Sequence, residues 1–317
     1  MERTTRILTA AALAGFLLGP ALARAYDQPA MNLGLTSFLD GGPPAGPGFY
    51  FTQYVQYYRS TQFVDQDGDE IGLPDPEVGV WAGLSQFIYQ SNQPLLLGGK
   101  WGLDVIVPLV RLSADYGAAG PFPADNGAGI GDVLVGPFLQ WDPIMGAAGP
   151  VLMHRIELEV LLPTGKYDSD KELNPGSGFF SFYPYWSATL FVGPKLTTSL
   201  RLHYLWNAEN SDPNRGFVGA EDSQAGAAVQ GNWAAEYEVK PHALRVGANA
   251  YYLKQITDTK MDGDDVPDRR EQVLGLGPGL VYHRSPQQHL FINLFTELMA
   301  QNRTKGSKLV VRYVQHL

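Results

Sequence analysis

Arg155-Ile156-Glu157-Leu158-Glu159-Val160-Leu161-Leu162 carries ionised groups at 155, 157 and 159 and aliphatic ones at 156, 158, 160 and 162. A period of two marks a β-strand, whose successive side chains point to opposite faces. One face is aliphatic throughout and the other ionic, so this strand separates an apolar medium from a polar one. The same rhythm returns elsewhere. Leu200, Leu202, Tyr204 and Trp206 oppose Arg201, His203 and Asn207; Leu244, Val246, Ala248 and Ala250 oppose Arg245 and Asn249; Leu309, Val311 and Tyr313 oppose Arg312. A slip of one residue would carry every charge to the apolar side, at about 2–4 kcal/mol for each Arg or Lys at the middle of a bilayer.

Twelve such runs, bounded by Gly, Pro, Asn and Asp, are predicted at 49–63, 78–90, 99–112, 129–141, 152–163, 180–192, 197–208, 225–238, 243–255, 271–284, 289–301 and 306–317. The connections alternate in length. Those after the odd strands are long and polar, at 64–77, 113–128, 164–179, 209–224 and 256–270. Those after the sixth, eighth and tenth are tight, at Gly193-Pro194, Lys240-Pro241 and Ser285-Pro286, and those at 91–98 and 142–151 are moderate. The connection at 302–305 breaks the pattern by being short on the long side. An even strand count with long loops at one end and short turns at the other is the arrangement of outer-membrane barrels. The expected fold is therefore all-β, a single antiparallel transmembrane β-barrel of about twelve strands over residues 49–317. Trp101, Trp141, Trp206, Trp233 and Tyr237 are expected in its two aromatic girdles.

Residues 1–25 read as a cleaved signal peptide: two arginines by Arg6, an uncharged apolar run to Ala23, and small residues at Ala23 and Ala25. Residues 26–48, rich in Gly and Pro, are expected to form a periplasmic segment or a plug entering the mouth from that side. The chain has no cysteine, which excludes disulfides and thiolate metal sites. With 23 basic and 32 acidic residues its net charge is −9, which argues against a nucleic-acid surface.

If the apolar faces meet lipid, a polar lumen follows. Asp104, Asp132, Glu157, Glu159, Glu236 and Glu297 are expected to face it, together with Arg155, Arg201, Arg245, Arg312, His203, Asn249, Tyr183 and Tyr185. Eight strands fill their own interior and sixteen leave an aqueous channel, so twelve predict a modest or partly plugged passage.

Several segments resemble a family of bacterial outer-membrane transporters of the phenol meta-cleavage degradation pathway. The likeness begins at Met31-Asn32-Leu33-Gly34 and runs through Asp40-Gly41-Gly42-Pro43-Pro44-Ala45-Gly46-Pro47-Gly48-Phe49-Tyr50, Leu97-Gly98-Gly99-Lys100, Gly129-Ile130-Gly131-Asp132 and Gly136-Pro137 with Leu139-Gln140-Trp141. It is densest at Pro163-Thr164-Gly165-Lys166-Tyr167-Asp168, then Asn174-Pro175-Gly176 and Pro184-Tyr185. It ends with Tyr251-Tyr252, Gln255, Thr257, Asp258, Arg270 and Gly277-Pro278-Gly279. The resemblance implies an outer-membrane barrel of a Gram-negative cell serving uptake of aromatic or other apolar carbon sources. It carries over no catalytic residues. The chain departs from barrel proteins at its end, where Leu317 stands in place of the usual Phe or Trp that the barrel assembly machinery prefers.

Other chemistry is weakly signalled. Asp65-Gln66-Asp67-Gly68-Asp69-Glu70 and Asp262-Gly263-Asp264-Asp265 resemble calcium loops, but the first places Pro76 where a hand-type site needs a bidentate Glu. Pro163-Thr164-Gly165-Lys166 lacks the leading glycine and following helix of a phosphate loop. His154, His203, His242, His283, His289 and His316 show no pair at metal-ligand spacing, so no metal and no cofactor is expected. An outer-membrane lipolytic enzyme would need a serine paired with a histidine; His203 is followed by Leu205 rather than Ser, and no G-x-S-x-G elbow occurs.

The expected function is passive diffusion of small solutes through the lumen, without enzymatic activity. The alternatives are a plugged receptor or structural barrel, and the lipolytic enzyme. Expected partners are the lipid bilayer, lipopolysaccharide, the assembly machinery and a small-molecule solute; oligomeric state stays open. A lateral exit eased by the glycines of Gly275–Gly279 is a further option for apolar solutes.

Overall fold

The computed structural model describes residues 27–43, 46–119 and 123–317; the predicted signal peptide lies outside them. Twelve barrel strands follow in order: β1 Gly48–Val64, β2 Glu77–Leu96, β3 Gly99–Asp115, β4 Ala128–Ile130 continued by Val133–Gln140, β5 Gly149–Glu157 continued by Val160–Leu162, β6 Ser181–Phe182 continued by Tyr185–Phe191, β7 Leu196–Asn207, β8 Ala228–Lys240, β9 Leu244–Gln255, β10 Gln272–Ser285, β11 Gln288–Gln301 and β12 Arg303–His316. Each pairs antiparallel with its neighbours in sequence. The first also pairs with the last, from Tyr50↔His316 to Val64↔Arg303, which closes the sheet. Closure removes the unpaired edges that lipid could not satisfy.

The register follows the alternation. On β7, Leu202, Tyr204 and Trp206 are 42–47% exposed while Arg201, His203 and Asn207 are at most 7% exposed. On β5, Ile156 and Leu158 face outward and Arg155, Glu157 and Glu159 are buried. Exposed Val55, Phe87, Leu103, Val246 and Leu294 continue the outer apolar band around the wall. Of the five expected girdle aromatics, Trp233 is displaced: it pairs with Leu200 near the middle of β8. Trp141 is half-buried at the short-turn end, stacked on His154 at 4.6 Å.

Two connections are tighter than expected. Leu97 and Gly98 both have positive φ, 50° and 79°, the geometry of a two-residue hairpin turn. The strand pairing therefore runs on to Leu96 through a stretch that reads as loop. Within 142–151, Ile144–Gly146 folds back to pair with β5. Three strands are interrupted instead, β4 at Gly131-Asp132, β5 at Leu158-Glu159 and β6 at Tyr183-Pro184. Pro108, Pro137 and Pro184 lack the N–H a regular ladder needs; their carbonyls still accept from Gly131, Leu158 and Tyr204 at 3.0–3.1 Å.

At the long-loop end a small sheet of Ser223–Gln224, Thr259–Met261 and Asp264–Val266 rises above the wall. The acidic turns there accept from backbone amides. Asp65 Oδ1 accepts from the amides of Asp67 and Asp69, and Asp262 Oδ1 from those of Glu221 and Asp222. Arg270, 2.7–2.8 Å from both carboxylate oxygens of Asp258, holds that carboxyl below its ordinary range.

Candidate functional site

The lumen is divided, because residues 27–43 lie along its inner wall from one end to the other. At the long-loop end Asp27 makes a bidentate pair with Arg269, 2.6 Å on each oxygen, and accepts from Thr259. Its amide donates to Glu271, which also pairs with Arg303 at 3.2 Å. Further in, the Asn32 carbonyl accepts from Gln230 and Asn232, and Lys308 Nζ donates to the Leu33 carbonyl at 2.8 Å. Asn293 donates to Ser37 Oγ at 3.0 Å. Toward the short turns Asp40 makes a bidentate pair with Arg201, at 2.7 and 2.9 Å, and Gly41 exchanges bonds with Thr189 and Gln140. Apolar side chains of the segment fill gaps in the wall. Phe38 is fully buried among Tyr50, Ala234, Val281 and Phe291, and Leu33 lies against Tyr251 and Phe295. The inward positions of Gly275 and Gly279 make room for Tyr251 and Phe38. That stretch is paired to β9 along its whole length, while its ladder to β11 shifts register at Leu274/Gly275.

What remains open is a cavity of about 340 Å³, counted as space for the centre of a water molecule. The segment bounds one side through Leu33, Leu35 and Leu39. The inward faces of β2 and β3 bound the other through Val78, Val80, Ala82, Leu84, Ile88, Ile106, Pro108, Val110 and Leu112. Both faces of these two strands are thus apolar. The expectation of a polar lumen is corrected here: β2 and β3 contribute only Gln86, Gln90, Ser91 and Asp104 as buried polar side chains. These aliphatic surfaces favour apolar matter, while Thr52, Gln56, Arg201, Lys308 and Arg312 give the rest of the cavity a polar border.

The predicted lumen residues fall into separate groups rather than one ring. Asp104, Arg155, Glu157, Glu159, Tyr183, Tyr185, Arg201 and His203 come together from β3, β5, β6 and β7. Tyr185 Oη donates to Glu157 at 2.6 Å, Arg201 lies 3.8 Å over the Tyr185 ring, and His203 stacks on Tyr183 at 4.1 Å. Glu236 and Arg245 form a second group near the short turns, with Thr197 and Glu238. Glu297 accepts from Tyr58, Tyr251 and the Gly306 amide. Arg312 lies 3.7 Å over Phe291, and Asn249 donates to the Gly277 carbonyl. Asp132 has a different job. Its oxygens accept from Gly165, from the Ser177 amide and from the Ser177 hydroxyl, so it ties the loop after β5 to the wall.

Asp27, Asp40, Arg269, Glu271, Asn232 and Lys308 were not read from the sequence as lumen groups. Asp27 and Asp40 belong to an irregular Gly/Pro-rich stretch with no period to place them. Lys308 did carry a signal, since it shares the inward parity of Arg312 on β12.

A family model described as "Putative MetA-pathway of phenol degradation" matches residues 60–313. Among solved structures, an outer membrane channel from Pseudomonas putida F1 is similar with a TM-score of 0.75 at 18% identity, covering 89% of this chain and 99% of that one. A deletion mutant of the TodX monoaromatic hydrocarbon channel is a more distant likeness, with TM-score 0.48 and 10% identity over 90% of this chain and 100% of that one. None of the curated proteins matches the chain. The fold is that of an outer-membrane barrel.

Proposed function

The chain belongs to the family of the phenol-degradation MetA pathway, and from that premise we propose that it is a passive channel in the outer membrane of a Gram-negative cell, for small aromatic or apolar carbon compounds. The observation that carries this reading is the aliphatic cleft between β2–β3 and the N-terminal segment. Solutes enter among the long loops, where Leu173, Phe179 and Phe217 border the cavity. They pass along Val110, Pro108, Ile106 and Leu84, and leave beside Asp40 and Arg155. Residues 27–43 act as a plug that narrows the bore to this cleft. The long loops meet lipopolysaccharide, and the terminal strand is read by the assembly machinery despite ending on Leu317.

A channel also suits the chemistry better than hydrolysis does. His203 is enclosed by two tyrosine rings, and among the described residues no serine hydroxyl hydrogen-bonds to it. The competing reading, a plugged barrel that conducts nothing, is favoured by the many bonds on the segment. Planar-bilayer recording of refolded protein separates the two: small stepwise conductance supports the channel, and a silent, correctly folded barrel defeats it. In liposome swelling, phenolic solutes are expected to enter faster than sugars of similar size. Leu84→Glu, which puts a charge into the cleft, should remove that preference. An unchanged preference would displace the route from this cleft.

A further inference from the structure

We propose that the wall of the barrel holds a divalent-cation site, with Asp104, Glu157 and Glu159 as its carboxylate ligands. One oxygen from each of the three carboxylates lies within 4.8 Å of the other two, and all three residues are at most 3% exposed. They come from β3 and from either side of the interruption in β5. The strand between them, β4, presents Gly136, which pairs with Asp104. A Cβ at Gly136 would run into the Glu157 carboxyl group. A glycine here thus opens the space in which the acids converge.

The hydrogen bonds leave a pattern suited to a metal. Gln86 donates to Asp104 Oδ2 at 2.5 Å and Tyr185 donates to Glu157 Oε2 at 2.6 Å. The opposite oxygens, Asp104 Oδ1 and Glu157 Oε1, have no partner, and neither does Glu159 Oε2. Outer partners that hold one oxygen and leave the other free are the usual orienting shell of a metal ligand. His203, 4% exposed, stands beside the cluster with its Nδ1 3.8 Å from Glu159 Oε2. Buried polar atoms are ordinarily satisfied, so three converging carboxylates, each with an unpartnered oxygen, call for a common partner.

Charge counting gives its valence. Arg201 is already neutralised by Asp40. Arg155, 3.6 Å from Glu157, is left as the one cation against three carboxylates. The deficit is two positive charges, which one divalent ion supplies. Three carboxylate oxygens suit Mn²⁺ or Zn²⁺. Glu159 borders the cavity, which provides a path for the ion. The site does not depend on what the channel conducts.

The test strips detergent-solubilised, folded protein with chelator and titrates it with Mn²⁺, reading free ion by electron paramagnetic resonance, and in parallel with Zn²⁺ by elemental analysis after dialysis. One equivalent per chain is expected, with affinity falling at least about tenfold in Glu159→Gln and in Gly136→Ala. The loop variant Asp65→Asn/Asp67→Asn should bind as the parent does. Heat-modifiable migration on gels confirms that each barrel is closed; should Glu159→Gln fail to fold, Asp104→Asn carries the same comparison. No binding of either ion at millimolar concentration overturns the proposal, because the carboxylates are then neutralised by protons. Binding that survives Glu159→Gln and disappears with the loop acids overturns it as well.

Discussion

Asp40 and Arg201 meet across the lumen in a two-pronged pair, with side chains 6% and 9% exposed. Removing one member of a buried pair leaves the other charged and unsatisfied, at a cost of about 3–5 kcal/mol. Asp40→Asn keeps the volume and removes the charge, so it should lower barrel stability by that order in urea unfolding from lipid vesicles. A loss near zero would mean that Arg201 finds water or Glu159 instead. Half of this pair was legible in the sequence. Arg201 sits in an alternating strand whose parity points it inward, whereas Asp40 sits in a Gly/Pro-rich stretch where no period assigns a direction. Neither half of the Asp27–Arg269 pair was legible, since neither residue lies in a barrel strand.

At the scale of strands, alternation was sufficient to assign faces. Ile156, 42% exposed and paired with Leu139 and Trp186, sits mid-way along β5. Ile156→Arg is expected to destabilise folding into a bilayer by about 2–4 kcal/mol, with Ile156→Leu near neutral; equal effects of the two would remove lipid from that face. The turn between β2 and β3 offers a test of opposite sign. Leu97 holds a left-handed φ of 50° that an aliphatic L-residue adopts at a cost of about 1–2 kcal/mol. Asn tolerates it, so Leu97→Asn should stabilise the barrel by up to about 1 kcal/mol in the same assay. The interruptions in β4, β5 and β6 were not legible. Their prolines are visible in the sequence, but a proline says only that one donor is missing, not which neighbouring strand must adjust.

For the whole molecule, the decisive feature is that a segment of the chain occupies its own barrel. Ser37→Cys with Asn293→Cys would cross-link the segment to β11, since the native side chains already touch at 3.0 Å. If solutes use the cleft beside β2 and β3, the oxidised protein should conduct like the reduced one. A conductance that falls on oxidation and returns on reduction would show that the segment must leave for passage. The carboxylate cluster belongs to this scale too. Asp104 and Glu157 are separated by tens of residues and by the intervening β4, and only the pairing of these strands brings them to one point.

The two-residue rhythm, the even number of strands and the sorted loop lengths were enough to determine a closed, membrane-facing barrel. Side-chain parity and the chemistry of termination are local properties that each strand carries by itself. The tertiary structure alone decided which inward groups meet and how much lumen is left. Contacts such as Asp27 with Arg269 span 242 residues, and parity tells a side chain which face it is on without telling it what stands opposite. Whether the interior becomes a wide aqueous bore or a narrow aliphatic cleft depends on that opposite surface, which here is the chain's own N-terminal segment.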